Sequence, residues 1–188
     1  MGPKWIRDLD WRLVVGALLL GGILHISATL AVTALGPGNA FQRMRETLPA
    51  NRMVILPPVV PGKEPLPFML PDALYAMCRY DVSEDPVAVS AALADAGWTL
   101  SLHTPQGDNF YVMPAQQLRR PEVSFVVVPG GDRSDHAPSP RRISSATAQI
   151  ASPTLEGLAV VRAPLRGLAW RAEAEALLRR ASCAAVKR

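Results

Sequence analysis

The sequence contains few of the residue patterns that carry enzymatic chemistry. It has two cysteines in 188 residues, and neither belongs to a Cys-x-x-Cys pair of the kind that binds zinc or exchanges disulfides. It also lacks Gly-x-Ser-x-Gly, His-Glu-x-x-His and a phosphate-cradling glycine loop. We therefore predict no catalytic residue, no metal site and no bound cofactor.

Aromatic residues and basic tracts are also scarce. Aromatics make up 6% of the chain, whereas there are 18 prolines, which interrupt helices. The net charge of +4 is not gathered into a continuous Lys/Arg tract, so nucleic-acid binding is not expected. About 150 residues remain outside an N-terminal apolar segment, enough for one compact domain. We expect this domain to be mainly β, a β-sandwich built from short strands and turns.

A long apolar run covers residues 13–35. It contains no Asp, Glu, Lys or Arg and ends at Gly36-Pro37-Gly38, which predicts a transmembrane helix across a roughly 30 Å hydrocarbon core. Basic residues and interfacial tryptophans precede it: Lys4, Trp5, Arg7, Trp11 and Arg12. The positive-inside rule then places residues 1–12 in the cytoplasm and the remainder outside, in the periplasm of a bacterium. A cleaved signal peptide is the alternative, because Val32-Thr33-Ala34 offers small residues to a peptidase.

Small and polar residues recur every four positions along this segment. They are Ala17, Gly21, His25, Thr29 and Thr33. This spacing places them on one helix face, which predicts packing against another membrane helix. Contact of a histidine with lipid is unfavourable in free energy, so His25 favours packing against another helix. The alternative is that its side chain is hydrogen-bonded within its own helix. A lone His with no second ligand in view is a weak candidate for haem or metal.

Residues 36–71 are punctuated by prolines and are expected to form an extended arm that lies on the domain and contains a short strand at 52–56. Residues 72–188 form the predicted periplasmic domain. Its predicted strands are 72–82, 87–91, 97–103, 109–113, 123–128, 143–150 and 158–162.

Three local patterns refine this domain. In residues 97–103 apolar and polar residues alternate, and a Pro/Gly turn at 104–108 predicts a β-hairpin with 109–113. Residues 130–140 are polar and unpatterned, which indicates an exposed loop. From residue 168 to about 185 the apolar spacing predicts a C-terminal amphipathic helix.

The hairpin carries a resemblance to a known family. The segments Cys78-Arg79-Tyr80-Asp81, Gly97-Trp98-Thr99-Leu100-Ser101-Leu102 and Gly107-Asp108-Asn109-Phe110-Tyr111 resemble the short membrane-anchored members of a bacterial family, domain of unknown function 1254. The similarity extends over nearly the whole chain, with mild departures at Thr99 and His103. It implies a β-sandwich and, for the short members, a companion single-span protein with a related domain. It implies no catalytic residues; Arg79, Asp81, Trp98, Gly107 and Asn109 are its structural motif.

Cys78 and Cys183 both lie in the predicted exported part of the chain. An oxidising compartment permits a disulfide between them, which we expect, and two buried free thiols are the alternative. Arg79 and Asp81 alternate with Tyr80 along one strand and are expected to form a buried ion pair rather than a ligand site. His103 and His136 lie beside a turn and in a loop, which are poor positions for a general base.

We therefore expect an accessory protein of the bacterial inner membrane that packs against other inner-membrane proteins in an envelope complex. The alternative is a periplasmic module that holds a lipid or another apolar molecule between its sheets. A hydrolase ranks third.

Overall fold

The computed structural model of the chain describes residues 10–35, 38–130, 141–143 and 147–186. The chain divides into two compact units, Met1–Gly38 and Asn39–Arg188. The predicted cytoplasmic residues Lys4, Trp5 and Arg7 lie outside the described residues.

The first unit contains helix α1 (Trp11–Leu35). Asp10 precedes the helix and its carboxylate accepts a hydrogen bond from the Arg12 amide at 3.0 Å. The helix is long and apolar enough to cross a membrane, and its side chains up to Val32 are exposed. A membrane anchor and a signal sequence both fit these properties.

The second unit is built mainly from strands. In chain order its elements are α2 (Ala40–Thr47), β1 (Val54–Ile55), β2 (Ala73–Asp81), β3 (Val87–Ala92), β4 (Thr99–His103), β5 (Asn109–Pro114), a 3-10 turn (Ala115–Gln117), β6 (Glu122–Pro129), β7 (Arg141–Ile143), β8 (Thr147–Ser152), β9 (Glu156–Pro164), a 3-10 turn (Leu168–Trp170), α3 (Arg171–Leu178) and β10 (Ser182–Ala185).

These strands form two five-stranded sheets. Sheet 1 has the order β1-β2-β9-β4-β5 and is antiparallel throughout. Sheet 2 has the order β10-β3-β6-β8-β7, in which only β6 and β8 run parallel. The predicted β-sandwich is confirmed, and so is the hairpin formed by β4 and β5.

The main core lies between the inner faces of the sheets. Alternate residues of each strand enter it, as the period of a pleated strand requires. On β4, Leu100 and Leu102 are fully buried while Thr99 and Ser101 are half-buried on the outer face. Across the core, the rings of Tyr111 and Phe125 pack edge to face with centroids 5.2 Å apart.

A second apolar cluster covers the outer face of sheet 1. Phe41 and Met44 on α2 and Leu48, which caps the end of this helix, follow helical spacing and pack there with residues of β2 and with the chain that follows α2. Asn39 caps this helix, accepting from the Gln42 amide at 3.0 Å and donating to the Pro105 carbonyl at 2.7 Å. The proline-rich arm therefore lies on the domain as predicted, but it is not extended throughout, because an eight-residue helix occupies its first part.

The predicted C-terminal helix is shorter than the sequence indicated. Helix α3 ends at Leu178, with Ala174 and Leu178 buried against the core. The chain then forms β10, so Cys183 lies on a strand and not on a helix. Pairing of β10 with the edge of β3 satisfies backbone groups of both strands, and this outweighs the helical preference of the alanines around Cys183.

One predicted strand, 143–150, is divided in the structure. Its ends belong to β7 and β8, which pair antiparallel through Ile143 and Thr147. The predicted loop at 130–140 lies, apart from Gly130, outside the described residues.

Candidate functional site

The predicted helix-packing stripe lies on α1. Ala17, Gly21, His25 and Thr29 are all exposed, and the side chain of Thr33 lies outside the described part of the chain. A Cβ added at Gly21 would meet nothing within 4 Å, and the same is true at Gly16 and Gly22, which lie off the stripe. The Thr29 hydroxyl donates to the Ile26 carbonyl at 2.8 Å, so its one donor is already used inside the helix.

A disulfide joins Cys78 to Cys183, as the sequence predicts. Cys78 lies on the inner face of β2 in sheet 1, and Cys183 lies on β10 at the edge of sheet 2. Both residues are buried, with 0% and 5% of their surfaces exposed. The bond therefore crosses the core and connects the two sheets, and the free-thiol alternative does not apply.

The predicted ion pair between Arg79 and Asp81 is wrong. Arg79 instead pairs with Glu156 at 3.3 Å on the neighbouring strand β9. The Asp81 carboxylate accepts from the Ser83 amide at 3.0 Å and from its hydroxyl. These hydrogen bonds from Ser83 are the main reason that the pKa of Asp81 is lowered. Both side chains thus connect neighbouring segments of the chain.

Tyr80, between these two residues, points into the core and is fully buried. Its hydroxyl lies 3.0 Å from Ser152 Oγ on β8, which in turn donates to the Thr154 carbonyl at 2.6 Å. Burial raises the pKa of Tyr80, so the phenol stays protonated. The ring is accommodated because residue 157 is glycine: a Cβ there would collide with the Tyr80 hydroxyl and the His103 carbonyl. Sequence reasoning missed this buried link between the sheets.

The hairpin motif has a structural role. Trp98 is buried immediately before β4, and its carbonyl accepts from the Ala115 amide at 2.9 Å. Gly107 adopts φ +99°, a left-handed conformation that favours glycine, in the turn between the two strands. Asn109 begins β5 opposite His103, where the pairing shifts by one residue.

His103 is the one described histidine on the sandwich. Its Nε2 lies 2.9 Å from Ser101 Oγ on the outer face of sheet 1. Burial lowers the pKa of His103, and a hydrogen bond with the Gly107 backbone opposes this effect. His136 lies outside the described residues, so the structure says nothing of it.

A cleft of about 220 Å³ opens between α3 and the end of sheet 1. We name it the α3 cleft; Trp98, Trp170, Ala174 and Leu177 supply its apolar walls, and Asp95, Arg166 and Glu173 its charged rim. The Arg166 guanidinium binds the Asp95 carboxylate and lies 5.9 Å from the centre of the Trp170 ring. The hydrogen bond from Arg166 is the main cause of the lowered pKa of Asp95.

The α3 cleft is smaller than the 300–1,000 Å³ typical of small-molecule sites. It also lies beside the sandwich, whereas the space between the sheets is filled by buried side chains such as Leu74, Val89 and Phe125. Among the described residues there is no group of three or more metal-ligating side chains.

The fold and these sites define a two-sheet β-sandwich, linked across its core by a disulfide and preceded by one apolar helix. The chain belongs to the family described as Protein of unknown function (DUF1254), whose profile matches residues 50–184. This confirms the family resemblance seen in the sequence.

Two solved structures are similar to this fold. One is the VPA0106 protein from Vibrio parahaemolyticus, with 15% identity, a TM-score of 0.54 and coverage of 78% of this chain and 34% of that chain. The other is an uncharacterized protein from Burkholderia cenocepacia, with 14% identity, a TM-score of 0.47 and coverage of 78% and 38%. This chain thus spans little more than a third of the proteins it matches. No curated protein matches it.

Proposed function

We propose that this protein is a single-pass accessory protein of the bacterial inner membrane, with its N-terminus in the cytoplasm and its sandwich in the periplasm. It packs against other inner-membrane proteins of a larger envelope complex, with no catalytic activity evident. The observation that carries the proposal is the four-residue spacing of small and polar residues along one face of α1, where Gly21 would allow another helix to approach closely.

Two further features support the location. The charge bias of Lys4, Arg7 and Arg12 ahead of the helix favours a cytoplasmic N-terminus, although Arg43 and Arg45 make the margin modest. The disulfide between the sheets suits an oxidising compartment outside the cytoplasm. Among possible partners, the family resemblance points to a companion single-span protein with a related domain.

Topology is tested by a reporter fused after Arg188 that is active only outside the cytoplasm, together with protease treatment of spheroplasts. We expect an active reporter and digestion beyond about residue 36. Activity of a cytoplasm-only reporter would refute the proposed location. Intact mass distinguishes a retained helix from a cleaved one, since peptidase action after Ala34 leaves a chain that begins at Leu35.

The stripe is tested by Gly21→Leu, with Gly22→Leu as the matched control. Both glycines have open space around them, but Gly22 is rotated by about 100° from the stripe. We expect Gly21→Leu to lower co-purification of a stoichiometric partner in mild detergent about tenfold, because close helix contact is lost. His25→Leu should act in the same direction. If the partner co-purifies equally with all three variants, α1 serves only as a membrane anchor.

A further inference from the structure

Ser101 and His103 form a hydrogen-bonded pair on the outer face of sheet 1. They are two residues apart on β4, so both side chains lie on the same face of the strand. The Ser101 hydroxyl oxygen lies 2.9 Å from Nε2 of the ring, and both residues are half-buried, so solvent reaches the pair. A serine hydroxyl in contact with an imidazole is the arrangement that converts a weak nucleophile into a reactive one.

The Gly107 backbone orients the imidazole ring. Its hydrogen bond with His103 acts to raise the pKa of the ring, which means that the ring donates and the Gly107 carbonyl accepts. Because Nε2 faces Ser101, the donor is Nδ1, and Nε2 is left as the acceptor for the Ser101 hydroxyl. Burial lowers the pKa of His103, so the ring is neutral near pH 7 and can take up a proton.

The turn that contains Gly107 is held by its own hydrogen bonds. The Thr104 amide donates to the Asp108 carbonyl at 2.9 Å, and the Gly107 amide donates to the Thr104 carbonyl at 3.0 Å. The Asp108 amide also donates to Thr104 Oγ1 at 3.1 Å. The nucleophile, the base and the group that orients the base are therefore fixed on one hairpin, and such preorganisation is what a reactive site requires.

An unpaired hydrogen-bond donor adjoins this pair. Arg162 on β9 is opposite Thr99, which makes it a diagonal neighbour of Ser101 on the same face, within reach of a long side chain. Its Nε is buried and has no hydrogen-bond partner among the described residues. Arg79 and Arg171 share this feature, but Arg162 is the one whose register places it beside Ser101. The negative oxygen that forms when a serine attacks a carbonyl would supply the missing acceptor.

Apolar residues flank Ser101 on both neighbouring strands. Val160 is opposite it on β9, and Val112 is opposite it on β5 and is exposed by 47%. Leu158, which is opposite His103, belongs to the apolar cluster on this face. A short acyl chain attached to a reacting carbonyl would therefore bury methylene groups beside Ser101, which favours an apolar acyl group over a polar one.

We propose that Ser101 is an activated nucleophile that accepts an acyl group from an ester with a short apolar acyl chain. The hydroxyl oxygen attacks the ester carbonyl while its proton passes to Nε2 of His103, and Arg162 stabilises the negative oxygen that forms. The bond from the carbonyl carbon to the alcohol oxygen then breaks. The departing alcohol takes the proton from His103, and the acyl group stays on Ser101. This reactivity is additional to the accessory role and does not rest on it.

The proposal is tested on the full chain in mild detergent with a short-chain alkyl fluorophosphonate, which reacts with activated serines as an ester does and leaves a stable adduct. We expect the intact mass to show a single adduct, which peptide mapping locates at Ser101, and no adduct on Ser101→Ala. His103→Gln should slow labelling by at least about a hundredfold, the lower end of general-base contributions. Arg162→Lys keeps the charge but lacks Nε, and it should slow labelling by at least about tenfold.

Ser90→Ala is the matched control. The Ser90 hydroxyl is also hydrogen-bonded on a strand, at 2.8 Å from Ser182 Oγ, but within the described part of the chain it has no histidine partner. We expect Ser90→Ala to be labelled at the wild-type rate. A wild-type chain without an adduct, an adduct mainly on other serines, or equal labelling rates for wild type and His103→Gln would each overturn the proposal. None of these outcomes depends on whether an envelope partner exists.

Discussion

The disulfide between Cys78 and Cys183 gives the most direct test of how this fold is stabilised. The perturbation is the double variant Cys78→Ala/Cys183→Ala, which removes the bond and leaves no unpaired thiol. Cys78 lies in the centre of the core, so alanine is the smallest change that avoids burying a new polar group.

The expected magnitude follows from the length of chain that the bond closes. The two cysteines are 105 residues apart, so the bond constrains most of the unfolded domain. In the chain-entropy model a loop of this length contributes about 4.7 kcal/mol. Because single domains unfold with only about 5–15 kcal/mol, we expect the variant to lose a third or more of its stability.

Urea denaturation of the full chain in detergent measures this loss. Wild-type protein unfolded with a strong reductant should approach the double variant, which separates the effect of the bond from that of the side chains. Hydrogen exchange should also accelerate most in β10, because among the described strands this edge strand pairs with β3 alone, and it exposes three of its four residues. A double variant within about 1 kcal/mol of wild type would refute the reasoning.

Two further predictions concern the core and its pH dependence. Gly157→Ala should destabilise the domain by about 3 kcal/mol or prevent folding, whereas Tyr80→Phe should destabilise it by only about 1 kcal/mol, both measured by urea denaturation. Equal losses of stability would contradict the predicted collision between a Cβ at residue 157 and the Tyr80 hydroxyl. Because the folded pKa of His103 lies below its ordinary 6.5, stability should be fully present above pH 6.5 and fall as the pH drops towards that folded pKa. The variant His103→Gln should abolish this fall in stability. The free energy of unfolding is measured between pH 7 and 5, a range above the lowered pKa values of Asp81 and Asp95.

The elements that the sequence predicted well are those with strong periodic patterns. Residues 97–103 alternate so regularly that β4 and the burial of Leu100 and Leu102 followed directly. The apolar run at residues 13–35 predicts α1 equally clearly, because no charged residue interrupts it. For β4 the local pattern and the tertiary position agree, which is the condition for a reliable prediction.

Of the two elements that were missed, strand β10 depends on contacts between distant residues. The alanines near Cys183 favour a helix locally, and only the edge of β3 and the bond to Cys78 turn them into β10. Helix α2 did have a local signal in Asn39 and the spacing of Phe41, Met44 and Leu48, but the surrounding prolines obscured it.

The α3 cleft had no signal in the sequence at all. Asp95 and Arg166 are far apart along the chain and meet only because α3 folds over the end of sheet 1. The same holds for the link between Tyr80 and Ser152, which bridges two sheets.

The position of α2 determines where the chain could be cut without damage. A protease acting between Leu35 and Asn39 would release the whole compact unit, with the cover of sheet 1 intact. A cut after Thr47 would instead remove Phe41 and Met44 and expose the apolar outer face to water. Intact shedding of the domain is therefore confined to a window of a few residues beside α1, and cleavage further along would yield a fragment prone to aggregation.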